Sequence, residues 1–115
     1  MAKILIVDDE IRARASMARF LELDGHEVYQ AGDGIEALDL FREHEFAVVV
    51  SDIKMPRMDG VRLIEQIRMV RPRVPIILVT GYSDRVPGGV PILTKPLKLR
   101  DLSHKIDELL GAGYR

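Results

Sequence analysis

Four short apolar runs in this chain end in residues suited to phosphoryl chemistry. Residues 4–7, Ile-Leu-Ile-Val, run into Asp8 and Asp9. Residues 46–50 run through Ser51 into Asp52, and residues 75–79 end at Thr80. Residues 91–93 run through Thr94 into Lys95 and Pro96. If the four runs are parallel strands of one sheet, these residues meet at a single edge. They would bring together three carboxylates, a hydroxyl and an ammonium. Such a set can hold a hard divalent cation and place a phosphoryl group on a carboxylate.

Each residue also has a plainer reading. Asp8 or Asp9 can cap a following helix. One Asp suffices for that, however, and two adjacent carboxylates repel, a repulsion that a cation relieves. Asp52 alone is a solvent-facing residue at a strand end, Thr80 a β-branched strand residue, and Lys95 a lysine snorkelling from an edge strand. Lys95-Pro96 alone is a turn. Gly32-Asp33-Gly34 is a turn and a helix start, and the chain has neither a G-x-G-x-x-G nor a Walker A loop. His26, His44 and His104 are scattered without ligand spacing and read as surface residues. Arg12, Arg14 and Arg19 read as a solvated helix face, with a docking surface as the alternative.

The elements that must position these residues alternate. Residues 3–7 read as a buried strand and 10–23 as a helix with Ile11, Ala15, Ala18 and Leu21 inward. Gly25 is a left-handed stop for that helix. Residues 27–31 form a short strand. Asp33 and Glu36 have the spacing of a capping box, opening a helix to about residue 44. Residues 46–52, with three consecutive valines, are the most strand-like segment. Asp59-Gly60 starts a helix with Leu63, Ile64, Ile67 and Val70 inward. Strands follow at 76–79 and 91–94. A last helix spans 98–110, with Leu99, Leu102, Ile106 and Leu109 on one face. Repeated β-α units predict a parallel sheet with helices on both faces. Ligands of such sheets bind beyond the carboxyl ends of the strands.

Composition narrows the functional classes. The chain's 115 residues make one domain, and its 47% apolar and 30% charged residues are ordinary for a globular one. A formal net charge of −1 gives no general drive toward nucleic acid or anionic membrane. With no cysteine there is no disulfide framework and no thiolate metal site. No apolar stretch is long enough to span a bilayer, and the amino-terminal Met-Ala-Lys leads straight into a strand pattern. The expected compartment is the cytoplasm. Beginning at Met1 and stopping after the last helix fits a free-standing single domain. A domain excised from a hybrid kinase or a longer regulator would look the same.

Taken together, the residues resemble the receiver domain of two-component response regulators over the whole chain, residues 1–115. The pair in Ile-Leu-Ile-Val-Asp8-Asp9-Glu10 resembles the family's metal-binding pair. Asp52, in Val-Val-Val-Ser-Asp52-Ile-Lys-Met-Pro-Arg-Met-Asp-Gly60, resembles its phosphoacceptor. Thr80 matches its switch hydroxyl, and Lys95-Pro96 its lysine and cis proline. The resemblance implies an α/β, flavodoxin-like fold with a five-stranded parallel sheet in the order 2-1-3-4-5. It implies phosphorylation of Asp52 by a sensor histidine kinase or a histidine phosphotransfer protein. It implies Mg²⁺ or Mn²⁺ held by Asp9, Asp52 and the Lys54 backbone carbonyl, with Asp8 acting through water. Lys95 would pair with Asp52 or a phosphoryl oxygen, and Thr80 would bond another, making phosphorylation a two-state switch. Gly60 and Pro96 would be structural. The downstream target would be a protein. The chain would not be an enzyme beyond self-catalysed phosphoryl transfer and autodephosphorylation.

The sequence departs from the family pattern twice. Only fifteen positions separate Thr80 from Lys95, fewer than the family's fourth helix and fifth strand need. Residues 81–91 hold three Gly and two Pro with no helical period, so that helix is expected to be shortened or replaced by a loop. The loop is expected to order on phosphorylation. The switch aromatic expected three positions before the lysine is Ile92, and Tyr82 is the candidate to supply the ring instead. Thr80-Gly81-Tyr82 resembles the Thr-Gly-Tyr group of single-domain receivers; the receivers of hybrid histidine kinases share the shortening. Without a firm fourth helix the domain is expected to be mainly monomeric, or to pair through its first or last helix instead. Two other readings stand beside this one. A Mg²⁺-dependent phosphohydrolase with an Asp nucleophile would carry an Asp-x-Asp motif and room for a cap domain. A flavodoxin-like cofactor binder would need a phosphate-cradling loop where Asp8-Asp9-Glu10 stands.

Overall fold

The computed structural model describes residues 2–81 and 88–111. Five strands and four helices follow one another along them. They are β1 (Lys3–Val7), α1 (Ile11–Leu23), β2 (Glu27–Ala31), α2 (Gly34–Glu43), β3 (Val48–Asp52), α3 (Gly60–Val70), β4 (Ile76–Thr80), β5 (Ile92–Thr94) and α4 (Leu99–Leu110). Every ladder is parallel, and the strand order is β2-β1-β3-β4-β5, as the resemblance implies.

The central strands are apolar on both sides because both sides are covered. Leu5, Val7, Val49, Ile76 and Leu78 face Ala37 and Phe41 of α2 and Leu63, Ile64 and Ile67 of α3. Their neighbours Ile4, Ile6, Val48, Val50, Ile77 and Val79 face Met17, Ala18 and Leu21 of α1 and Leu102 and Ile106 of α4. The period-two alternation of a strand thus divides the apolar residues between two cores.

Local chemistry sets most helix ends. The Asp33 carboxylate accepts the Glu36 N–H at 2.8 Å and starts α2. The Glu36 carboxylate reaches the Gly32 N–H at 2.6 Å, one residue before the reciprocal partner of a standard capping box. Asp59 accepts the Arg62 N–H at 2.9 Å and starts α3. Gly25, at φ +95°, stops α1 as its sequence position predicts.

Several sequence expectations are corrected. Helix α1 buries Met17, Ala18 and Leu21, while Ile11 is 69% exposed, because the helix packs through its C-terminal half. Val70, expected inward on α3, is exposed in the last turn. Strand β3 begins at Val48, with Phe46 buried ahead of it beside Phe41 and Tyr29. His26 is buried, not on the surface: its Nδ1 accepts the Ala2 N–H at 3.2 Å. His44 is half-buried against Tyr29 and Phe46, and His104 is exposed. Between β4 and β5, Gly81 and residues 88–91 carry no helix. Tyr82 and the rest of the segment expected to replace the family's fourth helix lie outside the described residues.

Candidate functional site

The strand ends converge as the sequence predicts. Val7 pairs with Ser51 and Asp52 with Val79, so β1, β3 and β4 finish level with one another. Thr80 pairs with Thr94, and its carbonyl accepts the Lys95 N–H at 2.9 Å. The step past β5 therefore delivers Lys95 beside the end of β4, where its peptide bond to Pro96 is cis.

Asp52 is 9% exposed, and both carboxylate oxygens have partners. Oδ1 accepts the Ile53 N–H at 2.8 Å. Oδ2 accepts from Lys95 Nζ at 2.9 Å. Asp8, only 1% exposed, accepts the Glu10 N–H through Oδ1 at 2.9 Å. That bond ties the turn before α1; Glu10 itself occupies the cap position of the helix and makes no side-chain cap bond. Asp9 is exposed. Asp8, Asp9 and Asp52 each offer an oxygen within 4.8 Å of the others. Thr80 is 3% exposed at the end of β4.

The electrostatics of this set ask for positive charge. Burial pushes the Asp8 carboxyl above its ordinary value; the Glu10 N–H opposes the shift, and the Asp52 charge adds to it. Burial works against the Lys95 ammonium, yet its hydrogen bond to Asp52 and the charges of Asp52, Asp8 and Glu10 outweigh that and raise its pKa. One lysine faces three carboxylates. An all-oxygen donor set of this kind, partly buried and open through Asp9, fits a hard divalent cation such as Mg²⁺.

The loop between β3 and α3 frames the cluster, and Gly60 lets it close. A Cβ at Gly60 would lie 2.3 Å from the Asp52 carbonyl oxygen and 2.9 Å from Ile53 Cα. The backbone of α3 approaches the end of β3 that closely, and the Gly60 N–H donates to the Ile53 carbonyl at 2.7 Å. Only a glycine leaves room for that approach. Ile92, the candidate switch position, is exposed on edge strand β5.

Three contributors were not legible as site residues. Arg14, read as part of a solvated helix face, donates from Nη1 to the Asp8 carbonyl at 2.8 Å and from Nε to Gln30 at 3.2 Å. Arg57 donates to Asp33 Oδ2 from Nη2 at 2.8 Å and from Nε at 3.0 Å. The Glu36 N–H bond, then burial acting the other way, and then Arg57 set the Asp33 carboxyl below its ordinary value. Asp33 had a signal as a cap, but nothing in the sequence links it to a side chain 24 positions away.

Known proteins share this sequence pattern and fold. Residues 4–107 match the family described as response regulator receiver domain. The chain is 36% identical over 118 residues to Sensor kinase CckA of Brucella abortus (strain 2308), covering 95% of this chain and 12% of that protein. It is 37% identical over 115 residues to Response regulator MprA of Mycobacterium sp. (strain KMS), covering 94% of this chain and 50% of MprA. It therefore spans half or less of these two relatives. Against Response regulator receiver protein CpdR of Brucella abortus (strain 2308) it is 30% identical over 98% of its own length and 100% of the relative's. The crystal structure of a CheY-like response regulator receiver domain protein from Methanospirillum hungatei JF-1 superposes with a TM-score of 0.90 at 35% identity, covering 96% of this chain and 94% of that one. With its family match over residues 4–107 and a fold shared with solved receiver domains, the chain belongs to the response regulator receiver domain family and is a receiver of two-component signalling.

Proposed function

We propose that residues 1–115 form a phosphoacceptor domain in which Asp52 takes a phosphoryl group from a phosphohistidine on a sensor histidine kinase or a histidine phosphotransfer protein. The observation that carries this reading is the convergence on Asp52. It is the buried carboxylate at the end of β3, with Lys95 Nζ at 2.9 Å and Asp8 and Asp9 oxygens within 4.8 Å. An Asp52 oxygen forms the new O–P bond. The P–N bond to the donor imidazole breaks, and that nitrogen keeps the electron pair and takes up a proton.

In such a transfer the protein contributes position and charge neutralisation. The Ile53 N–H and the Lys95 ammonium fix the two Asp52 oxygens in place. Lys95 then follows the charge onto a phosphoryl oxygen. Asp9, Asp52 and the Lys54 carbonyl would hold Mg²⁺ or Mn²⁺, with Asp8 acting through water; the bound cation supplies charge neutralisation of the phosphoryl oxygens. Thr80 donates to another phosphoryl oxygen. Its carbonyl already accepts the Lys95 N–H, so movement there reaches β5 as well as residues 81–91. Tyr82 and Ile92 complete the switch. Any turnover is confined to the chain's own aspartyl phosphate. The domain works as a monomer in the cytoplasm and passes its signal to a downstream protein; among the described residues no helix is long and apolar enough to cross a membrane.

Intact mass tests the assignment. Treated with acetyl phosphate or phosphoramidate and Mg²⁺, the wild-type chain gains one phosphoryl group and Asp52→Asn gains none. An Asp52→Asn protein still fully phosphorylated at Asp8 or Asp9 would overturn it. Turnover of a general phosphatase substrate would favour the phosphohydrolase reading instead.

A further inference from the structure

The loop that joins β3 to α3, residues 53–59, is held at both its base and its tip. At the base the Gly60 N–H donates to the Ile53 carbonyl, and no side chain on Gly60 could fit there. Inside the loop the Met58 N–H donates to the Pro56 carbonyl at 2.8 Å. At the tip Arg57 stands at φ 68°, a left-handed conformation that L side chains rarely adopt. Its guanidinium reaches across to α2 and places Nη2 and Nε on Asp33 Oδ2. The other Asp33 oxygen is occupied by the Glu36 N–H, so the carboxylate cannot turn away without uncapping the helix. Beside this pair Met58 lies over Gly34, where a Cβ would come within 2.7 Å of both the Met58 Cβ and its carbonyl oxygen. The tip therefore rests on the first turn of α2 by an ion pair and a close apolar contact.

We propose that the Asp33–Arg57 pair is a positioning clamp for the phosphoryl site. It pins the 53–59 loop to the start of α2 and thereby fixes where the Lys54 carbonyl stands relative to Asp9 and Asp52. The clamp rests on the reading of Asp9, Asp52 and Lys54 as cation ligands. Lys54 is three residues from Arg57 and one from the pinned Ile53, so the carbonyl lies on the short arc between the two anchors. Asp33 and Arg57 touch neither the cation nor the phosphoryl group. They act through the backbone, as groups outside a metal's ligand set commonly do. The pair is charge-assisted and two-pronged, with both donors on one oxygen. Arg57 is 59% exposed at its side chain and Asp33 18%, so the effect is modest and weakens with salt.

The test is titration of the full chain with MgCl₂ alone at low ionic strength, followed by backbone amide shifts of Asp9, Asp52 and Ile53, with the thermal midpoint measured in parallel. Arg57→Gly removes the clamp and the left-handed steric cost together, so its midpoint should equal or exceed the wild type's. Asp33→Asn keeps the cap acceptor and removes the charge. Each variant should weaken Mg²⁺ binding about two- to fivefold. The double variant should be no weaker than the weaker single, because both remove the same contact. Arg57→Lys should restore part of the affinity. An Arg57→Gly protein that binds Mg²⁺ as tightly as the wild type, or single effects that multiply, would overturn the clamp. A wild-type chain with no Mg²⁺-dependent shifts would overturn the cation reading itself and the clamp with it.

Discussion

His26 opens β2's side of the sheet from a buried position, with Nδ1 accepting the Ala2 N–H and Nε2 4.0 Å from Asp24. Burial lowers its pKa from 6.5; Asp24 and Asp107 oppose that only in part, and the amino terminus adds to it. In the unfolded chain the imidazole takes its proton first, so below pH ~6.5 the unfolded state binds more protons than the folded one. Stability is then lost as pH falls toward the folded pKa. His26→Gln keeps an acceptor without the titration. Urea unfolding between pH 7 and pH 5 should show a flatter pH dependence for the variant than for the wild type, and parallel curves would contradict the assignment. At the site, three carboxylates crowd one lysine. Phosphorylation by a small phosphodonor should therefore stop in excess EDTA and return with Mg²⁺. Equal rates in chelator would show that Lys95 alone suffices.

Element ends, more than element interiors, carry the site. Helix α3 begins with an Asp59 cap and a Gly60 packed on the Asp52 carbonyl. The two contacts should fail differently. Asp59→Ala loses one cap bond and should cost about 1 kcal/mol while leaving Asp52 phosphorylation near the wild-type rate. Gly60→Ala sets a methyl against backbone that cannot rotate away, and it should both destabilise the fold and slow phosphorylation, because the end of β3 must shift. Chemical unfolding together with intact-mass time courses separates the two, and a Gly60→Ala protein with unchanged phosphorylation would argue against the close approach. Helix α4 is tied back to the C-terminal end of α1 by Ser103 Oγ donating to Asp24 Oδ2 at 3.0 Å. The β5–α4 junction that carries Lys95 is thereby held by the same layer that packs on α1.

At the scale of the fold, two cores meet at one sheet and, among the described residues, share no side chains. Phe41 is the largest fully buried side chain of the core shared with α2 and α3, stacked 6.2 Å from Phe46 and covered by the Arg71 guanidinium at 4.7 Å. Phe41→Ala should cost about 3–5 kcal/mol, a large part of a total that is ~5–15 kcal/mol for domains of this kind, and chemical unfolding reads it directly. Among the described residues the exposed large apolar side chains, Ile11, Leu23, Ile35, Met69, Val70 and Ile92, lie on four different elements. That scatter forms no single apolar face for self-association among the described residues. Light scattering at tens of micromolar should find the unphosphorylated chain monomeric, and a stable dimer would contradict this.

The convergence of the strand ends was legible in the sequence because an unbroken apolar run has only one polar exit. The order Asp8-Asp9, Asp52, Thr80, Lys95 followed from the positions of those exits. The capping role of Asp33 and the left-handed Gly25 were legible because each is set by residues close together in the chain, and parallel pairing was legible from the alternation of strand and helix. What the sequence left open depends on contacts between distant segments. His26 looked like a surface residue until the Ala2 backbone closed over it. Ile11 fitted a helical face, but α1 buries only its C-terminal half, a matter of crossing geometry rather than periodicity. Arg14, between Ala13 and Ala15, and Arg57, between Pro56 and Met58, carry no pattern that marks them out from other surface arginines. Only the fold brings one to the Asp8 carbonyl and the other to Asp33, because hydrogen bonds between loops depend on where the layers set them down.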